Sequence, residues 1–466
     1  MHYDAFFPPR SDAPFRVALV GCGEFGACLA RQMRHIDSLK LVALCDRNVA
    51  RALSISEEAG YSENARMHCD GKASVAAAMA QGRVALIEDV GQLHAGPIDI
   101  VVEATGDPGI AAEVASAAIE HGCHVAMATK EADSVIGPLL AQRAAAAGLV
   151  YTPVDGDQPS LLMGLISWTR QLGFDIVAAG KSSEYDFILD TDAHTVTSAG
   201  RCTVLGTEDF PWTLAKTPRQ STTVIQRREL LPDLLVSTVP DLCEMGLVAN
   251  ATGLGIDCAN LHSPIARTVE LPYLFRPREE GGLLGRCGVI DTFNCLRRPD
   301  ELSFAGGVFV VVKTGHVANG KILGAKGIPV SEDHRYALFH NPVHLLGMEA
   351  PISILSACQL GHSSAGSGVH PHYDLTARVH RAFRSGEKLM LGERHSIDGL
   401  TPQLSPARPL GNGAPVPYYL IAGARLKTDV AAGTVLESGH LEFSSENLLW
   451  TMREEQDRLF ALANDD

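Results

Sequence analysis

One glycine-rich segment constrains the fold of this chain more than any other feature of its sequence. The segment Gly21-Cys22-Gly23-Glu24-Phe25-Gly26 follows an apolar run at residues 15–20 and opens an alanine-containing run at residues 27–36. This order of strand, turn and helix is the fingerprint of a dinucleotide-binding Rossmann unit. The first glycine permits the tight turn, the second lets the backbone approach a diphosphate, and the third lets helix and strand pack closely. We therefore expect the segment to bind a nicotinamide dinucleotide.

The end of the next predicted strand bears on which nicotinamide cofactor is bound. Asp46 stands twenty positions after Gly26, where a carboxylate accepts the ribose hydroxyls of NAD. Arg47, directly beside it, suits the 2′-phosphate of NADP, or it is a solvated surface arginine. The pair leaves NAD and NADP both open.

Two later strand ends complete the predicted cofactor site. Glu103-Ala104-Thr105-Gly106 closes the run at residues 98–103, and Thr129-Lys130-Glu131 follows the run at residues 124–128. Because cofactors lie at the carboxyl ends of open parallel sheets, Thr105 and Gly106 are expected near the nicotinamide ribose. Lys130 is expected to reach the substrate or the nicotinamide. The alternatives are an ordinary strand-to-helix turn and a solvated lysine at a helix start.

The predicted catalytic residues lie where the sheet leads into the following domain. Asp157 comes after the run at residues 149–152, while Lys181 and Glu184 come after the run at residues 176–179. A desolvated lysine, its pKa lowered by burial, suits proton transfer to a reacting oxygen. Asp157 and Glu184 could position that lysine or hold a divalent cation, Mg²⁺ or Mn²⁺. The alternatives are a helix cap for Asp157 and a charged surface linker around Lys181.

Composition limits the partners of the chain. The net charge is −15, so binding to nucleic acid or to an anionic membrane surface is not expected. The first ten residues lack the layout of a signal peptide, and no apolar run is long enough to span a bilayer. The eleven cysteines include no Cys-x-x-Cys pair, which favours reduced thiols and a cytoplasmic protein.

The changes of pattern along the chain predict an α/β protein with three domains. A Rossmann domain with a parallel sheet is expected over residues 1–155, since short apolar runs alternate with helical runs there. An α+β substrate domain is expected over residues 156–370, and a small β-rich module over residues 371–466. A symmetric homodimer is the favoured assembly for such an enzyme.

Several segments carry a resemblance to a known family. Residues 101–106 and 124–130 resemble the cofactor half of homoserine dehydrogenases, which have a lysine where Lys130 stands, but the chain lacks their Asn-Gly-Thr-Thr-Asn-Tyr segment. Over nearly its whole length the chain resembles a homoserine-dehydrogenase-like family that ends in a SAF-type module. The segments that carry this resemblance are Gly156-Asp157-Gln158-Pro159, Gly180-Lys181-Ser182, Glu349-Ala350-Pro351-Ile352-Ser353 and residues 418–436.

This resemblance implies a specific reaction. The deoxyxylulose-phosphate reductoisomerase-like members of the family convert 1-deoxy-D-xylulose 5-phosphate to 2-C-methyl-D-erythritol 4-phosphate with NADPH, for isoprenoid synthesis. Such a reaction would need a divalent metal, with Asp157 and Glu184 as candidate ligands, and a phosphate pocket. Candidate phosphate-binding residues are Lys313, His316, Lys321 and Lys326. The alternatives are a plain dehydrogenase of a small polyol, hydroxy acid or homoserine-like substrate, and a regulatory protein that binds a carbohydrate.

Overall fold

The N-terminal part of the molecule alternates strands and helices. The computed structural model describes residues 2–10, 12–206, 210–215, 220–411, 413–443 and 447–461. The elements of this part are α1 (Tyr3–Phe6), β1 (Phe15–Val20), α2 (Glu24–Met33), β2 (Leu39–Cys45), α3 (Val49–Glu58), β3 (Arg66–Cys69), α4 (Lys72–Ala80), β4 (Val84–Ile87), β5 (Ile100–Glu103), α5 (Pro108–Glu120), β6 (His124–Met127), α6 (Lys130–Ala146) and β7 (Tyr151–Pro153).

The seven strands of this part form one parallel sheet. Their order is β3-β4-β2-β1-β5-β6-β7, so the direction of winding reverses at β1. The strands are short and almost wholly apolar because helices cover both faces of the sheet. In such a sheet ligands bind at the carboxyl ends of the strands beside the point of reversal. The predicted Rossmann sheet is confirmed, and it places the glycine segment at that crevice.

The second part carries a mixed sheet. Its elements are α7 (Gln158–Gln171), β8 (Asp175–Ser182), β9 (Phe187–Asp190), β10 (Thr195–Ser198), β11 (Arg201–Val204), α8 (Gln220–Leu230), α9 (Val239–Thr252), β12 (Ile265–Ala266), α10 (Leu271–Leu274), β13 (Val289–Arg297), β14 (Val308–Lys313), α11 (Val317–Ala325), β15 (Tyr336–Asn341) and α12 (Ala350–Leu355). The strand order is β11-β10-β9-β13-β8-β14-β15, with β12 paired to β13. Helices α7 and α9 pack together beside β8 and lie between this sheet and the Rossmann unit.

The last part is built around two small antiparallel pairs of strands. Its elements are β16 (Tyr373–Val379), β17 (Leu400–Pro406), α13 (Tyr418–Ile421), β18 (Arg425–Leu426), β19 (Leu441–Glu442) and α14 (Leu448–Leu459). Strand β16 pairs with β17, and β18 pairs with β19. Over the described ranges, no helix combines the length and the apolar character that crossing a bilayer requires.

Two helices from beyond the Rossmann unit pack back onto it. Ile354 of α12 is buried in the same apolar cluster as the first strand and helix. Gln456 of α14 accepts a hydrogen bond from the Leu139 backbone at 3.1 Å and donates one to the Val135 carbonyl at 3.0 Å. The domain limits at residues 155 and 370 stay predictions, and the chain crosses between the parts more than once.

Candidate active site

The glycine turn has the geometry that a diphosphate requires. Gly21 has a φ of +99°, and a Cβ added there would lie 2.3 Å from the Ala104 carbonyl oxygen. A Cβ on Gly26 would lie 2.2 Å from the Gly21 carbonyl oxygen. Gly23 is the N-cap of α2, where no side chain caps the helix, and the space above it is open. The first N–H groups of α2 are therefore available to an anion, so these residues fit a bound dinucleotide.

Asp46 holds the turn in place from the end of β2. One of its carboxylate oxygens accepts a hydrogen bond from the Cys22 N–H at 2.9 Å, and the other accepts one from the Asn48 N–H at 2.8 Å. Arg47 beside it is exposed to solvent. The predicted contact of Asp46 with the ribose stays a prediction, but the carboxylate also has a structural role in the free protein.

The ends of β5 and β6 lie side by side, as the sequence predicts. The Gly106 N–H donates to the Thr129 hydroxyl at 2.9 Å, which ties the two predicted segments together. Glu103 is fully buried, and one of its oxygens accepts a hydrogen bond from the Thr105 N–H at 2.9 Å, while the other has no partner. Burial raises the pKa of Glu103 to about 7, against the opposing effect of the nearby Thr105 and Thr129 hydroxyl groups. This carboxyl group is thus only partly ionised near neutral pH.

Lysines and carboxylates from four elements meet at the mouth of this crevice. Lys130, the first residue of α6, lies 3.2 Å from an oxygen of Asp157, the N-cap of α7, and also contacts Glu244 of α9. Lys181 of β8 contacts the other oxygen of Glu244 and lies 2.9 Å from Asp241. We call these five residues the lysine–carboxylate cluster. Glu244 bridges the two lysines at its centre.

The members of the cluster differ in their access to solvent. The side chains of Lys181 and Glu244 are wholly buried, whereas that of Lys130 is 24% exposed and that of Asp157 16%. Only Lys130 and Asp157 are therefore placed to touch a small molecule. Lys181 can act only through Glu244, as a positioning residue.

Neutralisation by opposite charges sets the protonation states of the cluster. Burial alone would raise the pKa of Glu244, but Lys130 and Lys181 outweigh it and lower that pKa to about 2. In the same way, burial is outweighed by Glu244 and Asp241 at Lys181, whose pKa is raised. The expectation that burial lowers the pKa of Lys181 is therefore wrong, because two carboxylates are buried with it. The alternative of a surface linker around Lys181 is also wrong, since this residue lies inside β8.

Asp157 is the helix cap that the sequence offers as an alternative, and it pairs with Lys130 and not with Lys181. Its Oδ1 accepts a hydrogen bond from the Gln158 N–H at 2.9 Å, so it is the cap of α7, and its carboxylate also pairs with Lys130. Glu184, in contrast, is exposed on the segment that follows β8, and no residue of the cluster forms an ion pair with it. The structure brings Lys130, Asp157 and Lys181 together and leaves Glu184 outside their contacts.

The predicted metal ligands do not form a metal site. Throughout residues 2–461, apart from the short gaps noted above, no three His, Cys, Asp or Glu side chains converge in a way that could hold a metal ion. Asp157 is already paired with Lys130, and Glu184 is not part of any such group. The carboxylates at this site thus neutralise ammonium groups, and these residues do not fit a divalent cation.

The four predicted phosphate-binding residues lie at the wrong end of the second sheet. Strands β8 and β14 are antiparallel, with Lys313 opposite Asp175 and Val308 opposite Lys181. Six residues of extended strand separate Asp175 from Lys181, which is roughly 20 Å. His316, Lys321 and Lys326 continue from Lys313 into α11, where His316 is the helix cap. This part of the prediction is wrong because it did not account for the direction of β14.

Sequence reasoning missed Asp241 and Glu244, which are the centre of the cluster. The signal that could have found them is the capping box Thr238-x-x-Asp241 with Pro240 inside it, which marks a helix start. Asp241 and Glu244 are three positions apart, so they lie on one face of that helix. The pattern predicts the helix and the shared face, but not which lysines the face meets.

Comparisons with known proteins agree with this architecture. Residues 21–153 match the family model described as homoserine dehydrogenase, NAD-binding domain. Residues 156–350 match the model described as oxidoreductase DRL, catalytic domain. The search of curated proteins finds no match to this chain.

Solved structures of dehydrogenases are also similar to part of the chain. The WlbA dehydrogenase from Bordetella pertussis, solved with NADH and UDP-GlcNAcA, is 19% identical over 38% of this chain and 49% of its own, with a TM-score of 0.26. The myo-inositol dehydrogenase from Lactobacillus casei, solved with NAD(H) and myo-inositol, is 13% identical over 38% of this chain and 48% of its own, with a TM-score of 0.27. The chain thus spans about half the length of the structures that it matches.

The glycine turn and Lys130 both lie at the carboxyl ends of strands of the Rossmann sheet, and Lys130 contacts the second matched domain. The matched NAD-binding domain contains the glycine turn and Lys130, and the matched catalytic domain contains the other four residues of the cluster. A purely regulatory carbohydrate-binding role is not what these domains indicate. The chain therefore carries an NAD-binding domain of the homoserine dehydrogenase type followed by a catalytic domain of the oxidoreductase DRL type, which supports an NAD(P)-dependent oxidoreductase.

Proposed function

We propose that this oxidoreductase is an NADPH-dependent reductoisomerase that converts 1-deoxy-D-xylulose 5-phosphate to 2-C-methyl-D-erythritol 4-phosphate. The observation that carries the proposal is the partly exposed ammonium group of Lys130, which pairs with Asp157 and Glu244 of the domain that matches the DRL catalytic model. In the overall reaction, one ketose phosphate, one NADPH and one proton give one branched polyol phosphate and one NADP⁺. The skeleton rearranges without net oxidation, and the resulting aldehyde is then reduced to an alcohol.

The protein's part in this reaction is to hold and move a proton beside the reacting oxygen. When bound, the reduced cofactor supplies a hydride to a carbonyl carbon, and the carbonyl oxygen then needs a proton. Lys130 carries that proton on Nζ, and an alkoxide is a stronger base than an amine, so the transfer is favourable. Asp157 and Glu244 hold the ammonium group in place and favour its return to the charged form afterwards.

Asp46 and Arg47 bear on whether the cofactor is NADPH or NADH. Both oxygens of Asp46 already accept backbone N–H groups, whereas the Arg47 side chain is exposed at the same strand end. A free guanidinium group at this position favours a 2′-phosphate. This supports NADPH over NADH as the cofactor.

The second candidate is a metal-independent dehydrogenase of a small polyol or hydroxy acid. What favours it is that the carboxylates of the cluster neutralise lysines and do not form a cation site among the described residues. Such an enzyme would need only the cofactor, Lys130 and the residues that hold it.

One assay separates the two candidates. NADPH oxidation is followed with 1-deoxy-D-xylulose 5-phosphate, with EDTA and with added Mg²⁺ or Mn²⁺, and the product is identified by NMR. Turnover to the branched polyol phosphate supports the reductoisomerase. If the folded protein gives no turnover under any metal condition, that proposal is wrong, and a panel of polyols and hydroxy acids with NADP⁺ or NAD⁺ tests the second candidate.

A further inference from the structure

A second pocket opens beside the lysine–carboxylate cluster, and the C-terminal module forms one of its walls. Its cavity volume is about 180 Å³, which is smaller than a pocket for a drug-sized ligand, roughly 300–1,000 Å³. The residues that line it are Ser183, Glu184, Tyr185, Thr238, Pro240, Arg394 and His395. We call it the Arg394 pocket.

The Arg394 pocket adjoins the reacting end of the site. Ser183 stands two residues after Lys181, and the Thr238 hydroxyl donates to Asp241, at 2.7 Å. On the other side, His395 lies 3.1 Å from Glu131, the residue that follows Lys130. The pocket therefore borders the elements that carry the cluster on two sides.

Arg394 is held at the pocket in a conformation that few residues adopt. Arg394 and His395 both have left-handed backbones, with φ of 52° and 57°. Such backbones cost about 1 kcal/mol or more for residues other than glycine, and they persist where neighbouring contacts enforce them. Here His395 lies 3.1 Å from the hydroxyl of Tyr419 as well as from Glu131. These contacts fix the loop and direct Arg394 towards the pocket.

The guanidinium group of Arg394 is not neutralised by a carboxylate. It lies over the ring of Tyr185, 4.7 Å from the ring centre, and in the described part of the chain it makes no ion pair and no side-chain hydrogen bond. The other cations nearby are engaged, since Lys130 and Lys181 are paired with carboxylates and Arg297 is paired with Asp186 at 2.5 Å. An unpaired guanidinium group at a pocket suits a planar or tetrahedral oxyanion.

We propose that Arg394 binds the phosphate group of the substrate, so that the C-terminal module completes the active site. The proposal rests on the function proposed above, whose substrate carries a terminal phosphate. It also replaces the four basic residues near α11, which lie at the other end of the sheet. The hydroxyl groups of Ser183 and Tyr185 line the same pocket and are able to donate to a phosphate. The carboxylate of Glu184 faces it too and opposes an anion.

Two measurements test this assignment. The first is calorimetric titration of the full chain with inorganic phosphate, which requires no turnover. The variant Arg394→Asn removes the charge with a residue that tolerates the left-handed backbone. The matched control is Arg384→Asn, an exposed arginine of the same module that is paired with Asp429 at 2.7 Å. We expect Arg394→Asn to weaken phosphate binding at least tenfold, Arg384→Asn to leave it unchanged, and Glu184→Gln to strengthen it.

The second measurement is NADPH-dependent turnover of 1-deoxy-D-xylulose 5-phosphate and of its dephosphorylated form. Arg394→Asn should raise KM for the phosphorylated substrate about tenfold or more, with kcat and the reaction of the dephosphorylated form unchanged. Equal losses on both substrates would overturn the assignment. So would equal phosphate affinities of the variant and the parent, no saturable phosphate binding by the parent, or tighter binding of acetate than of phosphate. Absence of turnover with intact phosphate binding would count against the reductoisomerase alone.

Discussion

The cofactor crevice and the lysine–carboxylate cluster differ in how they present charge. The crevice offers an anion the backbone N–H groups at the start of α2, and its buried carboxyl group, Glu103, is only half ionised near neutral pH. The cluster instead buries the carboxylate of Glu244 between Lys130 and Lys181, which lower its pKa to about 2. The crevice thus binds an anion through backbone dipoles, whereas Lys130 of the cluster carries a proton that it can transfer.

This difference predicts which kinetic parameter each region controls. Fixed dipoles stabilise a bound anion equally before and during the reaction, so changes in the crevice should appear in the KM of the cofactor. A group that gives up a proton acts only in the transition state, so changes at Lys130 should appear in kcat. The variants Lys130→Met, Lys181→Met, Glu103→Gln and Arg47→Ala test this division.

The largest effect is expected from Lys130→Met. This change removes the exposed ammonium group but leaves Glu244 paired with Lys181. Loss of an acid–base group typically costs about 100- to 10,000-fold in rate, so kcat should fall by that amount while the KM for NADPH changes little. Steady-state kinetics and a thermal melt measure both. A fall in kcat of less than about threefold would remove Lys130 from the proton transfer.

The next largest effect is expected on the free energy of unfolding. It tests whether the cluster differs from a buried ion pair that has no part in the reaction. Lys181→Met leaves Asp241 and Glu244 buried with one lysine fewer, which should cost about 3–5 kcal/mol of unfolding free energy and also lower kcat. The control is Arg453→Met, which removes a buried arginine that pairs with Asp374 at 2.6 Å and Asp457 at 2.7 Å.

The two variants should agree in denaturation and differ in kinetics. Arg453 belongs to α14, away from the crevice, so its loss should destabilise the protein by a similar amount with kcat per folded molecule unchanged. If Lys181→Met also keeps the parental kcat per folded molecule, then Lys181 only stabilises the fold. Urea unfolding and kinetics on the same samples decide this.

The two regions also differ in how far the sequence alone could predict them. The residues of the crevice are consecutive, as in Gly21–Gly26, or stand at strand ends, and parallel strands bring such ends to one edge. The cluster is assembled by long-range packing: Glu244 lies 114 positions from Lys130 and 63 from Lys181. No local pattern encodes such a contact, so the lysines were predicted without the carboxylates that determine their pKa.

The phosphate prediction failed for a related reason. Lys313 was chosen by charge, but strand β14 runs antiparallel to β8 and carries it away from Lys181. Arg394 was overlooked because it belongs to another module and reaches the site only through the contacts of His395. Composition identifies candidate charges, whereas strand direction and module packing decide which of them share a pocket.

A smaller effect is expected at Glu103, a buried carboxyl group of the crevice. Its pKa of about 7 in the folded protein exceeds its value in the unfolded chain, so the folded state binds more protons. The contribution of Glu103 to the free energy of unfolding should therefore be greatest below pH 4.5. It should decrease by up to about 3 kcal/mol as the pH rises to about 7. Glu103→Gln, whose amide stays neutral, should remove this loss.

Urea unfolding at pH 5 and pH 8 checks the prediction. The variant should gain stability relative to the parent at pH 8 and gain little at pH 5. The same difference at both pH values would mean that Glu103 is ionised in the folded protein, and the crevice would then hold a full charge like the cluster.

The smallest effect is expected from Arg47→Ala. This variant tests whether a charged side chain of the crevice contributes to cofactor binding. Because Arg47 is exposed, solvent and salt screen its interactions, so a contact with the 2′-phosphate should contribute about 1 kcal/mol. The KM for NADPH should rise about fivefold, with kcat at saturating NADPH and the KM for NADH unchanged, while Arg47→Lys should retain most of the preference. Equal changes in the KM for both cofactors would show that Arg47 does not distinguish them. The crevice would then recognise its ligand through the backbone and Asp46 alone, without a basic side chain, whereas the cluster contains two lysines.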